Sequence, residues 1–200
     1  MQIALATEDE LSEAIGIRLL AEWAVLSHVK PMLLRKNGFG YLRSRMDNWK
    51  QMANRQIVMV LTDLDKLACP IVLRNDWLGK DTICPKNLLL RIAVREVESW
   101  VLADHEGMRQ LIGSKGRLPP IPDELLDPKQ HLLELARLAP RKIREDLLTS
   151  EGAIASQGIG YNHRLVAWVQ SVWCPQRAAE RSPSLRRTLT VLANLAEEVV

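Results

Sequence analysis

The chain has 200 residues, of which 47% are hydrophobic and 26% charged, and its formal net charge is +3. Such ordinary globular composition suits one domain, or one domain with an appendage, and excludes a disordered or fibrous chain. The charge excess is compatible with nucleic acid but lacks the strongly basic footprint of a dedicated binder. Cys69, Cys84 and Cys174 are odd in number and widely spaced, which excludes zinc spacing and a secretory disulfide framework. Reduced thiols fit the cytoplasm. The N-terminus lacks a basic region and turns acidic by Glu8, unlike a signal peptide. No apolar run approaches the roughly 18 residues of a membrane span.

Residues 2–6 form a short apolar run, a first strand, ending in Thr7-Glu8-Asp9-Glu10. Over residues 11–23, Leu11, Ile15, Leu19 and Trp23 recur at helical spacing. Thr7 or Asp9 suits the N-cap, and acids in the first turn suit the helix dipole. Glu8 thus falls at the carboxyl end of a strand, or serves only as a helix-start acid. Residues 29–34 predict a short strand, which Pro31 confines to an edge or an irregular segment. Arg35-Lys36-Asn37-Gly38-Phe39-Gly40 is a basic, glycine-containing loop whose amides could approach a phosphate, although Asn-Gly is first of all a turn. A helix is expected over residues 41–54, with Arg43, Arg45 and Lys50 on its polar side.

Residues 57–66 read Ile-Val-Met-Val-Leu-Thr-Asp-Leu-Asp-Lys. The β-branched apolar run predicts a strand over 57–61 buried on both faces, as in parallel sheets. Asp63 and Asp65 fall where it should stop. In open α/β sheets the ligand crevice lies beyond the carboxyl ends of the strands. In extended backbone, residues two apart project to one side, and two close carboxylates repel unless a cation or proton sits between them. Two interpretations are open: a divalent-metal site, or a solvated strand end with Asp as turn former and Lys66 as counter-charge. Residues 67–79 contain another apolar run and then a loop-like stretch, Asn75-Asp76-Trp77-Leu78-Gly79. Residues 87–94 predict a further strand, running into Arg95-Glu96-Val97-Glu98-Ser99-Trp100-Val101-Leu102-Ala103-Asp104 with helical spacing. Glu96 and Glu98 join the same sheet edge or simply favour a helix N-terminus. Glu98, set among apolar neighbours, would be partly buried and would want a partner.

Beyond His105 the chain reads as mostly helical. Residues 107–113 form one helix and 114–122 a loop rich in Pro and Gly. Asp127-Pro128 starts another helix, with Asp as cap and Pro at its first position. A shorter helix follows Pro140, residues 152–160 are loose, 162–173 are amphipathic, and Ser182-Pro183-Ser184 caps a last helix through Leu195. The four histidines, His28, His105, His131 and His163, show no metal-ligand spacing, and His163 reads as a helix-start or surface residue. The six tryptophans read as core anchors. Neither a Gly-x-Ser-x-Gly elbow nor a phosphate-binding Gly-x-x-x-x-Gly-Lys-Ser/Thr loop occurs.

Acids at three strand ends, Glu8, then Asp63 and Asp65, then Glu96 and Glu98, would gather on one edge of a parallel sheet. One or two carboxylates with waters and a substrate phosphate suffice for magnesium. A Glu after a first strand and an Asp-x-Asp after a later one resemble the Toprim pattern of topoisomerases, primases and the overcoming-lysogenisation-defect nucleases. The residue after Glu8 is Asp9, where many Toprim domains have Gly. A closer resemblance is to a family of uncharacterised bacterial Toprim-like proteins, often encoded beside an ATPase in defence loci. It rests on residues 6–20, Thr62-Asp63-Leu64-Asp65, the Arg95-to-Asp104 run, whose Glu98-to-Asp104 part is the most specific, and Gly160-Tyr161-Asn162. The resemblance implies an α/β Toprim-like domain over residues 1–110, its central sheet mostly parallel and flanked by helices. A helical C-terminal extension over 111–200 would pack on it. It also implies Mg²⁺ or Mn²⁺ at Glu8, Asp63 and Asp65, with Glu98 beside them in the catalytic set. Arg35, Lys36, Arg43 and Arg45 are candidate phosphate contacts, or a solvated helix face.

The functions weighed are a metal-dependent nuclease or related phosphoryl-transfer enzyme acting on nucleic acid in phage or plasmid defence, a catalytically weak subunit docking on an ATPase, and a toxin-like or structural binding protein. Candidate partners are nucleic acid, a companion ATPase and a second copy of the chain; no membrane partner is expected.

Overall fold

The computed structural model describes residues 1–35, 39–80, 82–149 and 157–199. Four strands form one all-parallel sheet: β1 (Ile3–Thr7), β2 (Met32–Arg35), β3 (Ile57–Asp63) and β4 (Leu88–Ala93), in the order β2-β1-β3-β4. β1 pairs with β3 in the register Ile3↔Ile57 to Ala6↔Val60, and β3 with β4 from Val58↔Leu88 to Asp63↔Ala93. β2 lies at an edge, where a strand preceded by Pro31 is tolerated. The chain leaves β1 for β2 on one side and returns to β3 on the other. The order therefore reverses between β1 and β3, which places the topological switch point there.

Helices cover both faces. α1 (Glu10–Leu20), α2 (Ala24–Ser27), α6 (Val97–Ala103), α7 (His105–Ile112), α8 (Pro128–Ala136), α9 (Arg141–Leu147), α10 (Tyr161–Ser171), α11 (Pro175–Ala179) and α12 (Pro183–Val199) contribute buried apolar side chains to the core that also takes in Leu5, Met59 and Leu61. α3 (Phe39–Ser44), α4 (Met46–Ala53) and α5 (Pro70–Leu78) cover Ala4, Ala6, Val58 and Val60 on the opposite face. The strands are thus buried on both sides, which is why β3 reads as an unbroken apolar run rather than an alternating one. α1 lies so close to β1 that a Cβ on Gly16 would meet both Leu5 methyl carbons at 2.8 Å. Tyr161 and Leu165 of α10 join this same core, and α10 packs on α1. No helix of the described residues is long and apolar enough to cross a membrane.

The capping expected from sequence holds at three helices. Asp9 Oδ1 accepts from the Ser12 N–H at 2.8 Å, Asp127 Oδ1 from the Gln130 N–H at 2.7 Å, and Ser182 Oγ from the Leu185 N–H at 3.2 Å. Three local expectations are corrected. The loop-like stretch 75–79 belongs to helix α5: Pro70 opens it, Leu73 and Trp77 one turn apart bury against the sheet, and Gly79 at φ +87° ends it. The helix expected over 41–54 breaks at Arg45, whose φ and ψ of −101° and 9° separate α3 from α4. Strand β3 continues two residues beyond Leu61, making Asp63 its last residue. Most of the 152–160 stretch lies outside the described residues.

The C-terminal helices are locked to the sheet domain by buried polar contacts. Trp100 donates its indole N–H to Ser184 Oγ at 2.7 Å, and Trp173 donates to the Trp100 carbonyl at 3.1 Å. Asp104, with no exposed surface, accepts from the Gly107 and Cys174 N–H groups and, through both oxygens, from the Arg177 guanidinium at 2.8 Å. Such a fork is the strong form of an ion pair. Replacing Asp104 by Ala strands a guanidinium and two backbone donors. Urea unfolding is expected to show a loss of about 3 kcal/mol, far beyond an Arg141→Ala change in the exposed Arg141–Glu145 pair.

Candidate metal and phosphate site

The carboxyl ends of β1 and β3 flank the switch point, and acids stand at both. Glu8 directly follows β1. Its Oε1 accepts from the Thr62 hydroxyl and from the Asp63 N–H at 3.2 Å, tying the two strand ends together. Asp63 Oδ1 accepts from the Val97 N–H at 2.9 Å, so the last residue of β3 caps the start of α6. The remaining oxygens, Glu8 Oε2 and Asp63 Oδ2, carry no hydrogen bond among the described residues. Glu98, the second residue of α6 and 5% exposed, accepts from the Tyr161 hydroxyl at 2.9 Å, and the Lys129 ammonium stands 3.7 Å from the same oxygen. Glu96 Oε2 accepts from the Lys129 N–H at 3.0 Å.

Asp65 departs from its expected placement. The extended backbone ends at Asp63, and Asp65 lies in the left-handed region at φ +50°. The strand alternation that would align it with Asp63 therefore no longer applies, and Asp65 is exposed. The loop is nonetheless fixed. The Asp65 N–H donates to the Arg95 carbonyl at 2.8 Å, and the Arg95 guanidinium donates to the carbonyls of Asp65 and Leu67 at 3.0 and 3.2 Å. Arg95 is itself left-handed, at φ +65°. Asp tolerates this region better than most residues and Arg does not, so Arg95, clamped to the Asp65 turn beside the acids, marks a place where local strain is held by its surroundings.

The acids lie close enough to act on one another's charge. Burial drives the Asp63 carboxyl well above the usual Asp range, and the charges of Glu98, Glu8, Asp9 and Asp65 push it further. Burial likewise raises Glu8, with Asp65 and Asp9 adding to the rise and the hydrogen bonds from Thr62 and Asp63 opposing it. Burial pushes Glu98 up to about 7 against the opposing pull of Lys129. Desolvation raises Asp65, opposed by Lys66.

The donor chemistry, oxygen only, fits a hard divalent cation. The described residues contain no group of three or more His, Cys, Asp or Glu side chains arranged to hold an ion together. A magnesium site does not demand one, because waters and a substrate phosphate complete its shell. A further fit comes from Thr7. It shares a sheet face with Leu5 as Asp63 does with Leu61, on the neighbouring strand, and its buried hydroxyl has no hydrogen-bond partner among the described residues.

The basic candidates are placed differently. Arg35 ends β2 on the same sheet edge, but it is paired with Glu10 at 3.1 Å and Glu13 at 3.7 Å. Arg43 is paired with Asp76 of α5 at 2.8 Å, on the opposite face. Arg45 is exposed at the α3–α4 junction, and Lys36 lies outside the described residues. His163 is exposed on α10. Lys129 was not singled out from sequence, and Thr62 appeared only within a resembling motif. Lys129 sits inside Asp127-Pro128-Lys129, which announces a helix start and nothing about Glu98. Tyr161 appeared only as part of a resembling motif. No family model matches the chain, and neither does any curated protein or solved structure.

The raised acids fix the sign of a pH effect. The folded chain keeps the Glu98 proton up to about pH 7, whereas the unfolded chain releases it near 4.3. Between those values the folded state binds more protons, so the Glu98 contribution to stability is fully present below about pH 4.3 and falls as pH rises toward 7. In metal-free protein, Glu98→Gln is expected to flatten this fall, measured as unfolding midpoints in urea from pH 4 to 8. An unchanged slope would show that Glu98 does not titrate in this window.

Proposed function

We propose that the chain is a Toprim-like, Mg²⁺- or Mn²⁺-dependent enzyme that hydrolyses phosphodiester bonds in nucleic acid. The observation that carries this reading is the tie between Glu8 and the Asp63 strand end where the strand order reverses, with Asp63 left in repulsion from Glu98 and Glu8 that a cation would relieve. Glu8 and Asp63 would hold the ion, with Asp65, whose charge is felt at both, as the third ligand that the Toprim resemblance implies. When bound, it would supply Lewis-acid polarisation of the phosphate and lower the pKa of a bound water.

The chain's own residues supply the rest. Thr62 and the Asp63 N–H hold Glu8 by Oε1, leaving Oε2 for the ion. Val97 does the same for Asp63. Tyr161 occupies Glu98 Oε1, so Oε2 remains to accept a proton from an attacking water. A carboxylate with a pKa of about 7 is matched to proton transfer near neutral pH, where a positioned base contributes about 10²–10⁴-fold.

The test compares cleavage of single- and double-stranded DNA and of RNA, with Mg²⁺, Mn²⁺ or EDTA, by the wild type and the Asp63→Ala/Asp65→Ala variant. Calorimetry measures metal binding by both. Metal-dependent cleavage reduced at least about 100-fold in the variant, together with lost metal affinity, is the expected result. A wild type that binds neither ion overturns the proposal. A wild type that binds metal but cleaves nothing shifts the reading to a subunit that needs a companion.

A further inference from the structure

Four carboxylates at one edge repel a polyanion, so a nucleic-acid substrate needs a cation there to meet its phosphate. Of the arginines that sequence suggested for this task, Arg35 and Arg43 are ion-paired with acids of their own and Arg45 is exposed at the α3–α4 junction. Lys129 is different. Its Nζ stands 3.7 Å from Glu98 Oε1, with a third of the side chain, 34%, still exposed. Among the described residues that Nζ makes no hydrogen bond, although an ammonium carries three donors. Two contacts nonetheless hold the residue at this edge. The Lys129 N–H is anchored on Glu96 Oε2, and the ammonium lies 5.2 Å from the centre of the Tyr161 ring.

An ammonium held in place, turned toward the acids, open to solvent and short of hydrogen bonds is suited to a phosphate oxygen, which Lys meets as a point charge. We infer that Lys129, delivered by the helical C-terminal part, contacts a phosphate of the nucleic-acid substrate at this edge. The inference rests on the phosphodiesterase reading of the same site. It makes residues beyond 110 part of the substrate site rather than an appendage. The competing role, counter-ion to Glu98 alone, would leave phosphate affinity untouched.

The experiment is fluorescence anisotropy of a labelled single-stranded oligonucleotide in EDTA across a salt series, so that no cleavage contributes. The proteins are wild type, Lys129→Gln, Lys129→Arg and the control Lys86→Gln. Lys86 precedes β4 at the opposite, amino end of the sheet and pairs with Glu198 on the surface, so its loss changes net charge equally. Lys129→Gln is expected to weaken binding about 3- to 10-fold and to reduce the slope of log affinity against log salt by about 0.7, the value of one single-strand phosphate contact. Lys129→Arg retains the slope, and Lys86→Gln leaves both quantities unchanged. Wild-type affinity and slope in Lys129→Gln, or equal losses in Lys86→Gln, overturn the inference, as does a wild type that binds no oligonucleotide without metal. Cleavage by the wild type with Mn²⁺ is scored separately, so the phosphate contact can fail while the enzymatic reading stands.

Discussion

Everything at the carboxyl edge of the sheet depends on one constraint: Asp63 must sit half-buried at the end of β3 with other carboxylates around it. A buried charge is tolerated only when it is paired and hydrogen-bonded. Here one oxygen is satisfied by the Val97 N–H and the other is left open, while four acids raise the cost of ionising it. The surroundings answer this cost in an ordered way. Glu8 is tied to the same strand end, and Glu98 is met by Tyr161 and Lys129. The loop carrying Asp65 is bolted to Arg95.

The parts of this arrangement written in local sequence were readable from it. The run Ile57 to Leu61 announces a strand buried on both faces because parallel sheets hide both faces of their central strands. Glu98 stood out as an acid between Val97 and Trp100, where a carboxylate without a partner would be costly. Asp9, Asp127 and Ser182 announced their helices because a cap involves residues only three apart. Helix α5 escaped because Asn75, Asp76 and Gly79 are turn formers, and only burial of Leu73 and Trp77 against the sheet overrides that preference.

Long-range pairing was not readable. The Tyr161 hydroxyl reaches Glu98 across 63 positions, and nothing local to either residue encodes it. The basic residues were misleading for a related reason. Arg35 stands beside a glycine-containing loop, as a phosphate ligand might be expected to, yet the register Thr7↔Arg35 sets it beside α1, whose first turn offers Glu10 and Glu13. Topology decided which cation faces which acid. Asp65 shows the same lesson at short range: an i, i+2 pair shares a face only while the backbone stays extended, and the strand ends one residue before the turn.

Strain and repulsion at one edge require surplus stability elsewhere, and the structure shows where it lies. Left-handed conformations at Asp65 and Arg95 cost on the order of 1–3 kcal/mol each, and the desolvated acids add to that. Against these stands a core in which Trp100, Trp173 and Tyr161 are almost wholly buried and Asp104 satisfies its charge with four donors. That core is built from the C-terminal helices packed on the sheet, so the same segment offsets the cost of the acidic edge and supplies the residues that meet Glu98. Stability and site are coupled through it. A change that loosens α10 from α1 moves Tyr161 as well as core side chains, so loss of the Tyr161–Glu98 contact and loss of packing arrive together.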